Sequence, residues 1–224
     1  MTKVVGHRGA SGYAPENTLR SFQLAIDIGC DRTELDVRLS KDNEIIVIHD
    51  EEVSRVTDGK GMVKGLTLEE IKKLNCPDNQ KLLTLQEVID LCKNKIGLQI
   101  ELKAEGTPQA VNQLILKNDI VNEVVITSFD IGLLQEIKIL NPQLKVGLLF
   151  REYSDKVWNF VESVPLDFIG PKYKIVTAEM VNKTHELGKI VYAYHVNEKD
   201  IGENLIALGV DEIGSDFPKL FISP

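Results

Sequence analysis

Short apolar runs alternate with longer amphipathic segments along most of this chain, and this alternation limits the fold more than any other feature. From Thr84 onward, each apolar run of strand length is separated from the next by a segment with helical spacing. Repeated strand–helix units indicate a parallel sheet, because a parallel connection needs a crossover of about a dozen residues. The strands predicted in this part of the chain lie near 97–103, 123–128, 145–150, 167–170, 189–195 and 211–215.

Two earlier runs, 4–6 and 34–37, raise the number of predicted parallel strands to eight. Eight strand–helix units that close on themselves form a (β/α)8 barrel, the TIM barrel, and the 224-residue length fits one such domain over residues 1–224. The alternative is an open, doubly wound sheet. A dinucleotide-binding version of that sheet is disfavoured, because no G-x-G-x-x-G motif follows a strand.

One pair of runs departs from the strand–helix pattern. The period-two run that ends at Leu39 is followed by the turn Lys41-Asp42-Asn43 and then by the apolar run 45–48. This turn is too short for a parallel crossover, so we expect an antiparallel hairpin whose second run lies outside the barrel wall. Residues from about 51 to 82 are rich in turn signals, with one helical stretch near 68–74. They predict a small insertion after the second barrel strand, too short to hold a core of its own.

Composition and the pattern of apolar runs argue against several classes of partner. The net charge of −8 and the pI near 5.1 disfavour a nucleic-acid binder. No apolar run approaches the ~20 residues of a membrane helix, so stable membrane insertion is not expected. The first residues run directly into a strand without a signal-peptide pattern, which predicts a cytoplasmic protein with its three cysteines as free thiols. The oligomeric state stays open.

The loop after the first strand carries a candidate anion site. His7 and Arg8 lie where the strand ends, and Asn17-Thr18 can cap the helix that begins near Leu19. In α/β folds this strand end is where ligands bind. The guanidinium of Arg8 is suited to phosphate, and the imidazole of His7 can exchange a proton near neutral pH. The alternative is an ordinary loop with a surface arginine and a capping histidine.

Acidic residues recur on one face of two predicted strands. Glu34 and Asp36 are two apart and share a face, and Glu101 and Lys103 repeat that spacing. If the apolar residues between them pack on helices, the charged side chains face the barrel axis. Three inward carboxylates repel unless a cation joins them, and Mg²⁺, Ca²⁺ or Mn²⁺ prefers such oxygen ligands. The alternatives are solvated charges, or internal salt bridges to Arg8 and Lys103.

Histidines and aromatic residues follow other predicted strands. His49 ends the hairpin and, taken with His7, is a candidate second acid/base. Phe129 and Tyr194 lie at strand ends, where each either walls a pocket or fills the top of the barrel. His195 also ends a strand; its role is left open between a structural and a functional one, with the structural one favoured.

Taken together, these motifs resemble the glycerophosphodiester phosphodiesterases, which belong to a (β/α)8 phosphodiesterase superfamily. The resemblance spans nearly the whole chain. It is carried by His7-Arg8-Gly9, Pro15-Glu16-Asn17-Thr18, Glu34-Leu35-Asp36-Val37, His49-Asp50, residues 55–61, Glu101-Leu102-Lys103, Ser128-Phe129 and residues 209–218.

The resemblance implies metal-dependent hydrolysis of small-molecule glycerophosphodiesters to glycerol 3-phosphate and an alcohol. It implies that His7 and His49 are the acid/base pair and that Arg8 and Lys103 contact the phosphate. It also implies that one divalent ion, Ca²⁺ or Mg²⁺ with Mn²⁺ as a further candidate, is held by three ligands: Glu34, Asp36 and Glu101.

Two alternatives remain, a lysophospholipid phosphodiesterase and a non-catalytic barrel that binds phosphate or metal. The late strand reads Tyr192-Ala193-Tyr194-His195-Val196-Asn197, where members of the family often carry Trp-Thr-Val-Asn. This departure concerns the aromatic wall and the fine substrate preference, not the reaction.

Overall fold

A computed structural model of the protein describes residues 2–222 and contains ten strands in one sheet. The strands are β1 (Lys3–Gly6), β2 (Arg32–Leu39), β3 (Ile45–Val47), β4 (Leu83–Thr84), β5 (Gly97–Leu102), β6 (Val124–Ser128), β7 (Lys145–Phe150), β8 (Phe168–Pro171), β9 (Ile190–Ala193) and β10 (Glu212–Ser215). Hydrogen bonds join them in the order β1-β10-β9-β8-β7-β6-β5-β2-β3-β4, and β1 also pairs with β2. Eight parallel strands therefore close into a TIM barrel, which confirms the predicted fold.

Helices connect the wall strands. They are α1 (Leu19–Ile28), α2 (Leu68–Lys73), α3 (Leu85–Cys92), α4 (Thr107–Asn118), α5 (Ile131–Leu140), α6 (Asp155–Ser163), α7 (Ala178–Glu186) and α8 (Lys199–Ala207). Thr18, Thr67 and Thr84 each cap a helix in a reciprocal capping box, and the cap at Thr18 is the one expected above. Within residues 2–222, no helix has both the length and the apolar character needed to cross a bilayer.

Side-chain alternation along β2 and β5 separates the hydrophobic core from the polar interior of the barrel. Leu35 and Val37 from β2, with Ile100 and Leu102 from β5, are buried in the main hydrophobic cluster against the helices. The residues between them therefore point toward the barrel axis. Since β2 and β5 are adjacent and parallel, with Asp36 opposite Glu101, their inward charges meet at one level of the barrel.

The hairpin forms as predicted and connects the barrel to the insertion. β3 pairs antiparallel with the end of β2, with Val47 opposite Val37. The two-residue strand β4, which the sequence analysis missed, pairs antiparallel with β3.

The insertion packs around a second, smaller hydrophobic cluster that it shares with the hairpin. The apolar residues of this second cluster are Ile46, Ile48, Val53, Val63, Ile71, Cys76 and Leu82. β3 contributes to both clusters. Ile45 and Val47 join the main core, while Ile46, together with Ile48 just after the strand, covers the insertion. The hairpin strand thus supplies apolar surface that the insertion alone lacks.

Candidate active site

A cavity of about 220 Å³ opens at the carboxyl ends of the barrel strands. Eight of the nine predicted site residues line it, namely His7, Arg8, Glu34, His49, Glu101, Lys103, Phe129 and Tyr194. The ninth, Asp36, is buried directly beneath, where it pairs with both Arg8 and Lys103. The fold therefore brings together every residue that the sequence analysis assigned to the site.

Three buried carboxylates form one acidic group in this cavity. One oxygen from each of Glu34, Asp36 and Glu101 lies within 4.8 Å of the others. Burial and the charge of Asp36 raise the pKa of Glu34 well above its ordinary value, and the same causes raise the pKa of Glu101 to about 7. These raised pKa values indicate that the nearby cations neutralise the negative charge of the three carboxylates only in part. An all-oxygen donor set of this charge fits a divalent ion such as Mg²⁺ or Ca²⁺.

Asp36 differs from the other two carboxylates because two cations contact it. Burial opposes its ionisation, but Arg8 and Lys103 outweigh burial and lower the pKa of Asp36. Arg8 Nε lies 3.2 Å from one carboxylate oxygen, and Lys103 Nζ lies 3.3 Å from the other. Lys103 also donates to Glu101 at 2.7 Å. One carboxylate is therefore held ionised, while its neighbours resist ionisation.

The backbone of the first loop places Arg8 against this acidic group. Arg8 adopts a left-handed conformation, with φ of 51°, and its backbone N–H donates to Glu34 Oε2 at 3.0 Å. Gly9 follows with φ of 83°, and a Cβ there would lie 2.4 Å from the hydroxyl oxygen of Ser21. Only glycine allows α1 to approach so closely. A non-glycine residue at positive φ is uncommon and concentrates at functional sites.

The two predicted acid/base residues have the same local arrangement. His7 Nδ1 donates to Asp216 Oδ1 at 2.5 Å, and His49 Nδ1 donates to Asp50 Oδ1 at 2.6 Å. Among residues 2–222, no protein group hydrogen-bonds Nε2 of either ring. Each histidine is therefore oriented by a carboxylate through one nitrogen and presents the other for proton transfer. Burial lowers the pKa of His49, so its neutral form predominates near neutral pH.

A third histidine and two aromatic rings complete this part of the cavity. The His195 ring stacks on that of His7, with 3.3 Å between centroids. Phe129 contacts Tyr194 edge to face at 5.9 Å, and the Tyr194 hydroxyl donates to the Phe150 carbonyl at 2.9 Å. Both rings line the cavity and also fill the top of the barrel. The two roles considered for Phe129 and Tyr194, walling a pocket and filling the barrel, are therefore compatible.

The insertion reaches the site through Arg55. Its guanidinium donates to both carboxylate oxygens of Glu16 at 2.8 Å and also to Asp50. Glu16 in turn accepts from Arg8 at 2.8 Å, and Asp50 orients His49. Arg55 of the insertion is therefore linked to Arg8 through Glu16 and to His49 through Asp50.

Several residues of the site carried no role in the sequence analysis. Asp216 follows β10, and Gln99, Arg151 and Lys172 line the cavity from three other strands. The strand-end rule that identified His7 applies equally to Asp216, Arg151 and Lys172, so a signal existed for these three. Gln99 lies deeper in the barrel. The only sequence signal for it is its position two residues before Glu101, which places it on the same face of β5.

Comparisons with known proteins show which family this chain belongs to. A model of the glycerophosphoryl diester phosphodiesterase family matches residues 7–220. A glycerophosphodiester phosphodiesterase of Caldanaerobacter subterraneus subsp. tengcongensis is 35% identical over 99% of this chain and 97% of its own length. The glycerophosphodiester phosphodiesterase of Thermotoga maritima has a solved structure with a TM-score of 0.87 and 30% identity, over 99% of this chain and 97% of the other.

A second solved structure contains a bound molecule. It is a phosphodiesterase of Oleispira antarctica in complex with the product sn-glycerol-3-phosphate, with a TM-score of 0.89 and 27% identity, covering 98% of this chain and 94% of the other. The family match extends over nearly the whole chain. The chain belongs to the glycerophosphoryl diester phosphodiesterase family.

Proposed function

We propose that this protein hydrolyses glycerophosphodiesters to glycerol 3-phosphate and an alcohol, with a divalent metal and two histidines that transfer protons. The observation that carries the proposal is the pair of carboxylate-oriented histidines, His7 and His49, in one cavity with three buried carboxylates. The product bound to the Oleispira antarctica relative supports glycerol 3-phosphate as the retained part of the substrate.

The two histidines supply the proton transfers. In-line displacement at phosphorus needs a base on the side of the attacking oxygen and an acid on the side of the departing alcohol. With Nδ1 bound to a carboxylate, His7 and His49 each use Nε2 for this task. One removes the proton of the attacking oxygen, and the other protonates the alcohol oxygen as the P–O bond breaks. The attacking oxygen belongs to water, which gives glycerol 3-phosphate directly, or to the neighbouring glycerol hydroxyl, which gives a cyclic phosphate that water then opens to glycerol 3-phosphate.

The cations of the site orient the phosphate. Arg8 presents a planar fork of donors that is held in place by Glu16 and Asp36, and Lys103 adds a second positive charge. Glu34, Asp36 and Glu101 would hold the divalent ion. Such an ion polarises a phosphoryl oxygen as a Lewis acid and stabilises charge in the transition state.

A panel of glycerophosphodiesters tests this function with metal-depleted and metal-restored protein. We expect turnover that is lost on chelation and recovered with Ca²⁺, Mg²⁺ or Mn²⁺. Full activity after exhaustive chelation would contradict the metal dependence, and absence of turnover on the whole panel would contradict the function.

Single histidine variants test the two-histidine mechanism. His7→Ala and His49→Ala should each lose about 10²–10⁴-fold in rate. If His49 is the acid, His49→Ala should regain rate on an aryl phosphodiester whose leaving group needs no proton, while His7→Ala should not. Unchanged rates in both single variants would exclude the mechanism.

A further inference from the structure

Two polar side chains, Gln99 and Tyr192, lie in the floor of the cavity and take no part in the proposed reaction. Gln99 comes from β5 and Tyr192 from β9, on opposite sides of the barrel. Both line the cavity that also contains His7 and His49, and their exposed fractions are 0% and 1%. The cavity therefore ends on buried polar groups.

The polar atoms of this floor lack hydrogen-bond partners within the part of the chain that the structure describes. These atoms are the amide oxygen and nitrogen of Gln99 and the hydroxyl of Tyr192. The hydroxyl lies near the Gln99 amide, but the two do not form a hydrogen bond of ordinary geometry. Buried polar groups are nearly always paired, because an unpaired one loses its hydration without compensation. The floor therefore has donors and acceptors free for a group that enters the cavity.

The surroundings of the floor favour a neutral ligand group. Val5 and Leu149 pack with the Tyr192 ring in the interior of the barrel. Gly214 of β10 leaves room for the Tyr192 hydroxyl, since a Cβ at this position would collide with it. Burial and the charge of Glu34 raise the pKa of Tyr192 well above its ordinary value, so the hydroxyl keeps its proton. Neutral donors and acceptors in such a place match a hydroxyl group, whereas burial of a further charge would cost desolvation.

The spacing along β5 sets the depth of the floor below the phosphate-binding candidates. Glu101 lies at the level of Asp36, the carboxylate that both Arg8 and Lys103 contact. Gln99 precedes Glu101 by two residues on the same face of the strand. Such a step is about 6.6 Å, comparable to the extended distance from phosphorus to the terminal hydroxyl in glycerol 3-phosphate. A glycerol group whose phosphate lies against the two cations therefore reaches the floor.

We propose that Gln99 and Tyr192 bind the terminal hydroxyl of the glycerol group, the one farthest from the phosphate. This proposal rests on the proposed function and deepens it, since it assigns the residues that select glycerol among alcohols. The cavity volume of about 220 Å³ fits a group of this size, because pockets for drug-sized ligands hold about 300–1,000 Å³. The departing alcohol then lies toward the open mouth of the cavity.

The test compares glycerophosphocholine with the analogue in which propane-1,2-diol replaces glycerol. The analogue lacks only the terminal hydroxyl and keeps the hydroxyl next to the phosphate, so both routes of attack remain open. For each variant, the measured quantity is the ratio of kcat/KM between the two substrates, so that general damage to the enzyme cancels. Wild type should favour glycerophosphocholine by about 100-fold, because the analogue leaves two buried polar groups unpaired. Tyr192→Phe and Gln99→Met should each lower this ratio by about tenfold.

Thr127→Val is the matched control. Thr127 lies on β6 opposite Glu101, is fully buried, and has a hydroxyl that also lacks a partner in the described chain, but it does not line the cavity. Its ratio should stay at the wild-type value. A wild-type ratio near one would overturn the proposal and indicate that water occupies the floor. An unchanged ratio in both floor variants, or an equal fall in Thr127→Val, would also overturn it. Failure of wild type on glycerophosphocholine itself would instead overturn the proposed function.

Discussion

The imidazole of His195 lies flat on the imidazole of His7, with their centroids 3.3 Å apart and their planes inclined by 24°. Burial and the proximity of His7 hold the pKa of His195 well below its ordinary value, so the stack does not bring two cations together near neutral pH. Asp216 fixes the edge of the His7 ring through Nδ1, and His195 covers one face. The orientation of His7 is therefore determined from two directions.

Replacement of His195 tests this positioning role. His195→Ala should lower kcat by about tenfold, in the range seen for residues that orient a reactive side chain, because His7 loses its face contact. His195→Phe keeps a flat ring and should retain more activity than His195→Ala. Steady-state kinetics with thermal unfolding as a check on folding would measure both. Equal kcat values for the two variants would contradict a role for stacking.

Asp216→Asn tests the edge contact. The substitution removes the carboxylate charge that accepts the hydrogen bond from His7 Nδ1, and it should lower kcat by about 10–100-fold, with a smaller effect on KM. Asp211→Asn is the matched control, since Asp211 bonds His185 at 2.9 Å in a similar pair far from the cavity. Its kcat should match wild type. A fall of the same size in both variants would indicate a general effect on the barrel.

The raised pKa of Glu101 predicts that the stability of the metal-free protein falls as the pH rises toward neutrality. Burial and the charge of Asp36 raise its pKa from 4.5 to about 7, so the folded state binds a proton more tightly than the unfolded state does. This contribution to stability is fully present below pH 4.5 and is lost as the pH rises through about 7. Thermal unfolding on either side of pH 7 would measure it, and Glu101→Gln should show a flatter profile.

The same carboxyl predicts proton release on metal binding. A ligand carboxyl must be ionised, so metal affinity should rise with pH up to about 7 and level off above it. Calorimetry in buffers of different ionisation enthalpy would count the protons released. Binding that is independent of pH below 7 would contradict the assignment of Glu101 as a ligand.

Arg55→Gln tests whether the insertion supports the site. Arg55 holds Glu16 and Asp50, which in turn hold Arg8 and His49, so its loss should lower kcat/KM by about tenfold. Arg20→Gln provides the control. Arg20 also pairs with the insertion, through Asp78 at 2.7 Å, but far from the cavity, and its removal should leave kcat/KM unchanged.

We propose that the barrel and the insertion unfold as one domain, because β3 contributes to both clusters. Ile71→Ala in the insertion and Ile115→Ala in the main core should each lower the free energy of unfolding by about 2–5 kcal/mol. Both variants should keep a single transition in denaturant, followed by circular dichroism and by a probe placed in the insertion. Two separated transitions in Ile71→Ala would show that the insertion is an independent unit.

Local pattern was enough to predict the barrel and most of the candidate site. Residues such as Glu34 and Asp36 share a face because the period of a strand is two, and this period is readable without a structure. The short turn after Leu39 likewise excluded a parallel connection, and the hairpin forms as predicted. The second hydrophobic cluster was not predicted because β3 supplies part of its apolar surface, and both faces of this strand are covered.

The sequence by itself therefore determined which residues end the strands and which faces of the strands are apolar, since both follow from spacing along the chain. Only the tertiary structure decided which strand ends meet. His195 reaches His7, and Asp216 supports it, because closure of the barrel joins β1 to β10 across more than two hundred residues. Whether Arg151 and Lys172 meet a carboxylate likewise depends on which strand ends lie beside them, and in the described chain neither forms an ion pair with one. The neighbours of a charged side chain depend on strand register around the barrel, and register is a property of the closed sheet that no local segment contains.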